Sequence, residues 1–329
     1  MTDKAFFLFP GQGAQFPGMA LDLLEASSGR GGERVKRLFA LASEVIGKDM
    51  AAMLKNASPE TLKRTDISQP AITLANLAAA AYLEERGINP SGCAGFSLGE
   101  YAALAAAGVI TEEDCFVMVS ERGKAMQTAV NQIGDGKEAP GTSVPGMAAV
   151  MGLSPEKVET LITEWKAGNN PALKDIYAAN INSPNQTAVA GTAGALAEAE
   201  GLFIAAGARR FIRLRVAGPF HSPFMAEAAK EFQPVLEKVQ FRDPQIPLYS
   251  NVSGKRISSG EEAKKLALLH ITNAVRWVDE EKAIEAAGGI DCLLETGPGK
   301  VLQGLWKDSG LSLPCHAAGT AADIDKLFD

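Results

Sequence analysis

The chain has 329 residues, of which 46% are hydrophobic and 22% are charged. This composition is typical of a globular protein, and the length suits one large domain or a large domain with a smaller insertion. The formal net charge of −7 excludes the global basic field that binds nucleic acid or an anionic membrane surface.

The four cysteines are widely separated, and they form neither a Cys-x-x-Cys pair nor a Cys/His cluster with metal-ligand spacing. We therefore expect reduced thiols in a cytoplasmic protein, and no metal site. The apolar run after Lys4 is too short for a signal peptide, and no run approaches the roughly 18 apolar residues of a membrane span.

The N-terminal part alternates apolar strands with helical patterns. Ala5–Phe9 is a continuous apolar run that ends at Pro10, which predicts a buried parallel strand. A Gly-rich loop follows at Gly11–Gln15. Further along, we expect helices over about 33–54, 67–86 and 112–130, a short strand that ends at Gly95, and a helix over Glu100–Ala107.

A loop rich in Gly and Pro at 131–145 predicts a domain boundary. Beyond it, the pattern is strand, helix, strand, strand, helix, strand, which is the order of a split ferredoxin-like unit. The strands are expected at Met147–Leu153, Ile176–Ile181, Gln186–Ala190 and Arg210–Val216, and the helices at Pro155–Ala167 and Ala193–Ala206. We therefore predict a small domain at 143–216, inserted into a large domain formed by 1–142 and 217–329.

The C-terminal part returns to alternating strands and helices. We expect helices over Phe224–Val239, Ala263–His270 and Trp277–Ala287, and strands that end near Asn251 and at Glu295. Strands that alternate with helices predict an α/β fold with a mainly parallel sheet covered on both faces.

Gly95-Phe96-Ser97-Leu98-Gly99 contains a Gly-x-Ser-x-Gly motif, typical of a nucleophile elbow, in which a serine occupies a sharp turn between strand and helix. The motif alone also fits an ordinary Gly-rich turn. A nucleophilic serine needs a nearby base. Of the three histidines, His221 ranks first because its loop follows the predicted small domain, where a cleft is expected. His270, at a helix end, and His316 fit structural or surface roles better.

Acyl transfer also needs an oxyanion hole. We expect one donor to be the backbone N–H of Leu98, and the second to come from the Gly11–Gly13 loop, where glycine lets the backbone approach a ligand. That loop also fits a dinucleotide-binding fingerprint, although Phe16 stands where the third glycine belongs. Gly297–Lys300 lacks the first glycine of a P-loop and has Val301 where a Ser or Thr should follow the lysine, so we expect a turn there.

From residue 6 to about 305, the chain resembles the malonyl-CoA:acyl carrier protein transacylases of fatty-acid synthesis and the acyltransferase domains of polyketide synthases. The matching motifs, in the family's order, are Phe9–Gln15, Gly95–Tyr101, Arg122–Gln127, Pro219–Ser222, Asn273–Trp277 and Glu295–Lys300. The resemblance implies a hydrolase-like, mainly parallel sheet flanked by helices, with an inserted ferredoxin-like β-α-β-β-α-β subdomain.

The resemblance also implies catalytic roles. Ser97 is the nucleophile and His221 the base, oriented by the main-chain carbonyl at the position of His270. The backbone N–H groups of Gln12 and Leu98 form the oxyanion hole. A dyad of this kind needs no Asp.

Arg122 is the residue that the resemblance assigns to the malonyl carboxylate, which a planar guanidinium fits with two parallel hydrogen bonds. Without the family context, Arg122 would be interpreted as an exposed helix charge. Met126, Phe220 and Phe96 are implied to bind substrate. Phe96 replaces the family's usual His, His270 replaces a frequent Gln, and Phe220 resembles malonyl-selective members.

The implied partners are malonyl-CoA, as substrate, and an acidic acyl carrier protein that brings its own phosphopantetheine; no cofactor is expected. Arg209 and Arg210, with Arg213 and Arg215, are candidate carrier contacts, although such charges also protect an edge strand from aggregation. We expect a monomer that binds neither nucleic acid nor membrane. The alternatives are a trans-acting polyketide acyltransferase, an acyl hydrolase with the same dyad, and an inactive carrier-binding module.

Overall fold

Strand β1 (Ala5–Phe9) is fully buried in the interior of a four-stranded sheet. The computed structural model describes residues 4–27, 32–135, 145–214, 216 and 218–328. The other strands are β2 (Pro90–Gly95), β3 (Gly146–Met151), β4 (Ile176–Ser183), β5 (Gln186–Gly191), β6 (Arg210–Arg213), β7 (Tyr249–Ser250), β8 (Lys255–Arg256), β9 (Cys292–Glu295) and β10 (Cys315–Ala317).

Helices cover both faces of the sheet that contains β1, and further helices pack on the second sheet. They are α1 (Leu21–Ala26), α2 (Glu33–Ile46), α3 (Met50–Asn56), α4 (Thr65–Glu85), α5 (Gly99–Ala106), α6 (Glu112–Asp135), α7 (Pro155–Ala167), α8 (Ala193–Ala205), α9 (Ala226–Lys238), α10 (Gly260–Leu269), α11 (Trp277–Ala287), α12 (Val301–Ser309) and α13 (Ala321–Asp325). In the described part of the chain, no helix has the length and apolarity needed to cross a membrane.

The sheet that contains β1 is parallel, with the strand order β10-β9-β1-β2. Successive side chains of β1 enter different cores: Phe7 and Phe9 pack with the long helices, and Phe6 and Leu8 pack around Trp277. This explains why β1 is apolar throughout rather than alternating. The carboxyl ends of β1 and β2 lie side by side, so the loops after both strands meet at one edge.

The second sheet is antiparallel, with the order β4-β5-β3-β6; α7 follows β3 and α8 follows β5. The helices cover one face with a separate apolar core that includes Val158 and Phe203. A short backbone pairing joins β4 to the segment before α11: Val275 N–H donates to the Ala179 carbonyl at 2.9 Å, and Ile181 N–H donates to the Val275 carbonyl at 2.8 Å.

The helix predicted over about 33–54 is wrong as a single element, because α2 and α3 are separate. Gly47 ends α2 with a φ of 70°, a left-handed conformation that glycine adopts without a Cβ clash. Asp49 then caps α3 by accepting the Ala52 N–H at 2.9 Å. Both residues are recognisable stop and start signals.

Several other boundaries differ from the predictions. The loop predicted from residue 131 is helical up to Asp135, while residues 136–144 lie outside the described residues. Strand β6 ends at Arg213 rather than at Val216, and α9 begins after a 3-10 turn at Pro223–Met225. The predictions for β1 and α7 are confirmed at both ends. The short elements α1, β8, α12, β10 and α13 have no predicted counterpart.

Candidate active site

Ser97 lies in the turn between β2 and α5, which begins at Gly99. Its φ of 51° is in the left-handed region, which is strained for a residue with a side chain. The flanking glycines are sterically necessary: a Cβ on Gly95 would lie 2.0 Å from the Gly99 carbonyl carbon, and a Cβ on Gly99 would lie 1.9 Å from the Phe9 oxygen. The turn can therefore form only with glycine at both positions.

His221 contacts Ser97 directly. Its Nε2 lies 2.7 Å from Ser97 Oγ, and its Nδ1 lies 3.0 Å from the main-chain oxygen of His270. Since a carbonyl oxygen only accepts, Nδ1 carries the proton, and Nε2 is the atom that accepts the serine hydroxyl. His221 is nearly buried and also has a left-handed backbone, with φ at 56°.

The environment keeps the His221 ring neutral. Burial, followed by the positive charge of Arg122, lowers the pKa of His221 to about 4, while hydrogen bonds to the backbone at His270 and Asn273 oppose this shift. At neutral pH the ring is therefore unprotonated at Nε2 and available as a base.

Arg122 lies on α6 with 0% of its surface exposed. Within the described ranges, none of its three guanidinium nitrogens has a hydrogen-bond partner, and the guanidinium carbon lies 5.2 Å from the ring centroid of Tyr101. Burial lowers its pKa, but a guanidinium stays charged in proteins. A buried cation with unused donors is costly, and an anion that accepts those hydrogen bonds would relieve the cost.

Gln12 lies beside the serine turn because β1 and β2 end together. Gly11 passes so close that a Cβ there would lie 2.3 Å from the Phe96 carbonyl oxygen. Helix α4 holds the Gln12 side chain, whose Nε2 donates to Ser68 Oγ at 3.0 Å. In the described structure, the backbone N–H groups of Gln12 and Leu98 have no acceptor, so both are available to a ligand.

A cavity of about 460 Å³ opens at Ser97 between the two sheets. Its walls include Gln12, Phe96, Met126, Phe220 and His221 on one side and Met147, Asn180, Asn182 and Ala188 of the second sheet on the other. Phe96 packs edge-on against Trp277, with ring centroids 5.4 Å apart. Arg122 lies one helical turn before Met126 on α6.

The nucleotide-binding alternatives do not fit the structure. No helix begins directly after Gly13, since α1 starts at Leu21, so a phosphate there would lack a helix N-terminus. At the Gly297–Lys300 turn, the N-terminus of α12 is already occupied: Glu295 accepts the N–H groups of Leu302 at 3.0 Å and Gln303 at 2.8 Å. Among the described residues, no group of three or more His, Cys, Asp or Glu could hold a metal ion.

The predicted carrier contacts that the structure describes are not among the residues that line the cavity. Arg209 and Arg210 are exposed at the start of β6, which is an edge strand. Arg213, on the same strand, donates to the carbonyl of Ala193 at 3.4 Å. Arg215 lies outside the described residues.

Sequence reasoning missed three asparagines at or behind the site. Asn180 and Asn182 line the cavity from β4, and Asn182 Oδ1 is buried without a partner in the described residues. Their spacing of two places both on one face of a strand, which is a signal that could have been used. Asn251 contacts the serine turn from a distant part of the chain, and no local pattern predicts that contact.

One family of known proteins matches this sequence along most of its length. Residues 6–322 match the acyl transferase domain family. The chain belongs to this family. The protein is therefore an acyltransferase, and the resemblance that the sequence motifs indicated is confirmed.

Individual members of the acyl transferase family align over almost the full length. The malonyl CoA-acyl carrier protein transacylase of Bacillus subtilis strain 168 is 34% identical over 322 residues, covering 98% of this chain and 95% of the relative. The Escherichia coli K12 enzyme of the same name is 36% identical over 310 residues, covering 93% of each chain.

Solved structures agree with these matches. An acyl carrier protein S-malonyltransferase from Vibrio cholerae superposes with a TM-score of 0.86 at 34% identity, covering 98% of this chain and 99% of that chain. A malonyl-transacylase in complex with its type II PKS acyl-carrier protein superposes with a TM-score of 0.84 at 35% identity, covering 98% of each chain.

Proposed function

We propose that this protein transfers a malonyl group from malonyl-CoA to the phosphopantetheine thiol of an acyl carrier protein, through a malonyl ester on Ser97. The observation that carries the proposal is the buried guanidinium of Arg122, which has no hydrogen-bond partner within the described residues and whose positive charge acts on His221, the residue that contacts Ser97. Similar proteins are named as malonyl transferases to acyl carrier protein.

In the first half-reaction, His221 Nε2 takes the proton from Ser97 Oγ as Oγ attacks the malonyl thioester carbonyl. The backbone N–H groups of Gln12 and Leu98 stabilise the oxyanion. When the C–S bond breaks, His221 returns the proton to the coenzyme A thiolate. The malonyl ester remains on Ser97, with its carboxylate held by Arg122.

In the second half-reaction, the carrier's phosphopantetheine thiol gives its proton to His221 and attacks the ester carbonyl. The C–O bond to Ser97 breaks, and Oγ regains the proton from His221. One thioester replaces another, so the reaction is expected to be reversible. The base, the oxyanion donors and the carboxylate partner are all groups of this chain, so we propose that malonyl-CoA is the substrate and that no cofactor of the protein's own takes part.

Incubation with malonyl-CoA alone tests this function. We expect the intact mass to increase by one malonyl group, located on Ser97 by peptide mapping, and coenzyme A to be released in an equal amount. Adding acyl carrier protein should discharge the ester onto the carrier. The Ser97→Ala variant serves as the control and should stay unmodified. An unmodified wild-type protein, or an adduct that only water removes, would contradict the proposal.

The lowered pKa of His221 predicts the acid limit of acylation. The base is active when it is neutral. As the pH is lowered, kcat/KM for malonyl-CoA should therefore stay constant through pH 6 and fall tenfold per pH unit only below about pH 4. Rapid-quench measurement after a brief pH jump, with circular dichroism to confirm folding, gives the profile. A midpoint near 6.5, the ordinary value for histidine, would show that burial does not lower the pKa as described.

We propose that the exposed arginines at the start of β6 attract the acidic carrier protein. Arg210→Glu is expected to weaken carrier binding about tenfold at low salt, mainly by slowing association, and the difference should shrink as salt increases. Lys48→Glu is a matched control, because it makes the same charge change at an exposed residue outside β6. Equal effects of the two variants in a surface-binding assay would mean that only net charge matters.

We further propose that residues 143–216 form an inserted ferredoxin-like subdomain and that 1–142 and 217–329 form the large domain. The strand order β4-β5-β3-β6 and the separate core of the second sheet support this division. Residues 142, 143 and 217, at its boundaries, lie outside the described residues. We also propose that the protein is a monomer and that it acts in the cytoplasm.

A further inference from the structure

Asn251 lies directly behind the serine turn and is fully buried. Its side-chain Oδ1 accepts the N–H of Ser97 at 2.6 Å. Its Nδ2 donates to the carbonyl of Gly95 at 2.7 Å and to Glu280 Oε1 at 2.6 Å. One amide therefore binds the backbone on both sides of Phe96. The orientation of this amide is fixed, because a flipped side chain would place its oxygen against the carbonyl oxygen of Gly95.

The backbone of Asn251 is held equally firmly. Its N–H donates to Glu100 Oε2 at 2.8 Å, and its carbonyl accepts the N–H of Arg276 at 2.8 Å. Glu100 lies on α5, the helix that begins at the serine turn, and Glu280 lies on α11. Asn251 thus connects the turn to two helices, which leaves its amide little freedom to move.

The two carboxyl groups that hold Asn251 are unusual because both are buried. Burial raises the pKa of Glu100 to about 7, against the opposing effects of its hydrogen bond to Asn251 and of the Arg122 charge. Burial and the proximity of Glu100, Glu281 and Asp279 raise the pKa of Glu280 well above its ordinary value. The amide of Asn251 therefore lies beside carboxyl groups whose protonated forms are favoured by burial, and a neutral donor–acceptor side chain suits this environment.

The serine turn needs such support, because the left-handed conformation of Ser97 persists only where its surroundings impose it. The hydrogen bond to Asn251 fixes the Ser97 amide, and the serine φ then determines where Oγ points. The next amide along the chain, that of Leu98, is an expected oxyanion donor. A rotation of the turn would therefore move the nucleophile and the oxyanion donor together.

We propose that Asn251 is a positioning residue for the nucleophile, which holds Ser97 in its left-handed conformation so that Oγ stays aligned with His221 Nε2. Asn251 does not touch the substrate. The inference concerns the reactivity of Ser97. It rests on the proposed function only where malonylation of Ser97 is the quantity measured. Labelling of Ser97 by a small fluorophosphonate provides a second readout, which needs the nucleophile and base but neither a malonyl group nor a carrier.

Asn251→Ala is expected to slow fluorophosphonate labelling of Ser97 about 10²-fold, the usual effect of a displaced reacting atom. The rate constant of malonylation should fall by a similar factor, while KM for malonyl-CoA stays near the wild-type value because Arg122 and the cavity wall formed by the second sheet are unchanged. Val158→Ala, a destabilising change in the separate core of the second sheet, controls for lost stability and should leave labelling unchanged.

Asn251→Asp is the second variant, in case the alanine variant does not fold. The new carboxyl group can donate to Gly95 only while it is protonated, so labelling should fall as the pH rises through its pKa, and the wild type should show no such fall. The inference would be overturned if Ser97 of the Asn251→Ala variant were labelled at the wild-type rate. It would also be overturned if the pH profile of labelling were the same for Asn251→Asp and the wild type. If wild-type protein were labelled but not malonylated, the proposed function would fail while the role of Asn251 would still be tested.

Discussion

Alanine at Arg122 is expected to lower malonyl transfer by about 10²- to 10³-fold, while acetyl transfer is retained or increased. The malonyl carboxylate would enter a buried site without its counter-charge, and such a loss costs about 2–5 kcal/mol. An acetyl group has no carboxylate and loses nothing. Removing a buried cation that has no hydrogen-bond partner in the described residues should also help an apolar acyl group to bind. Acyl-CoA competition, read as the mass of the Ser97 ester, measures both effects.

Arg122→Lys is the matched control, because it keeps the charge but not the two parallel donors. It should recover part of the malonyl activity and little acetyl activity. Arg122→Met removes the charge while keeping most of the side-chain volume, which separates the loss of charge from the creation of a cavity. Undiminished malonyl transfer by the alanine variant would remove Arg122 from the mechanism.

Replacing His221 by alanine is expected to slow acylation of Ser97 by about 10⁴-fold or more, since an unassisted serine hydroxyl is a weak nucleophile at neutral pH. The base contacts Oγ at 2.7 Å, and no other described side chain pairs with that oxygen. Single-turnover release of coenzyme A measures this step separately from transfer to the carrier.

His270→Gln provides a control in the same environment. The contact to His221 Nδ1 comes from the main chain of residue 270, and both ring nitrogens of His270 lack partners among the described residues. Acylation should therefore change little when only the ring is replaced. A loss as large as that of His221→Ala would show that the second imidazole takes part.

The sequence predicted local features of the site well, because their causes are local. A strand, a Gly-flanked serine and a helix follow one another over 90–106, and the glycines are needed by contacts within that turn and with the end of β1. The motif therefore predicted a sharp turn between strand and helix, although alone it did not distinguish a nucleophile elbow from an ordinary Gly-rich turn. The break between α2 and α3 was equally local, and Gly47 and Asp49 marked it, but the long helical pattern obscured both signals.

Contacts between distant residues could not be predicted in this way. Nothing near Arg122 in the sequence distinguishes it from an exposed helix charge, and its complete burial results from packing with other helices. The partner of Ser97 N–H is 154 residues away, at Asn251. Family resemblance supplied a role for Arg122, whereas Asn251 lies outside the matched motifs and only the fold brings it to the serine.

The left-handed backbone at Ser97 and His221 has a consequence for engineering. Such conformations cost about 1–3 kcal/mol each in residues with side chains. Glycine would relax them, but it would also remove the hydroxyl and the imidazole. The thermal stability of the protein therefore cannot be increased at these two positions without loss of catalytic activity. Ala20, with a φ of 63°, has the same backbone conformation and no catalytic group, which makes it the better position for a stabilising substitution.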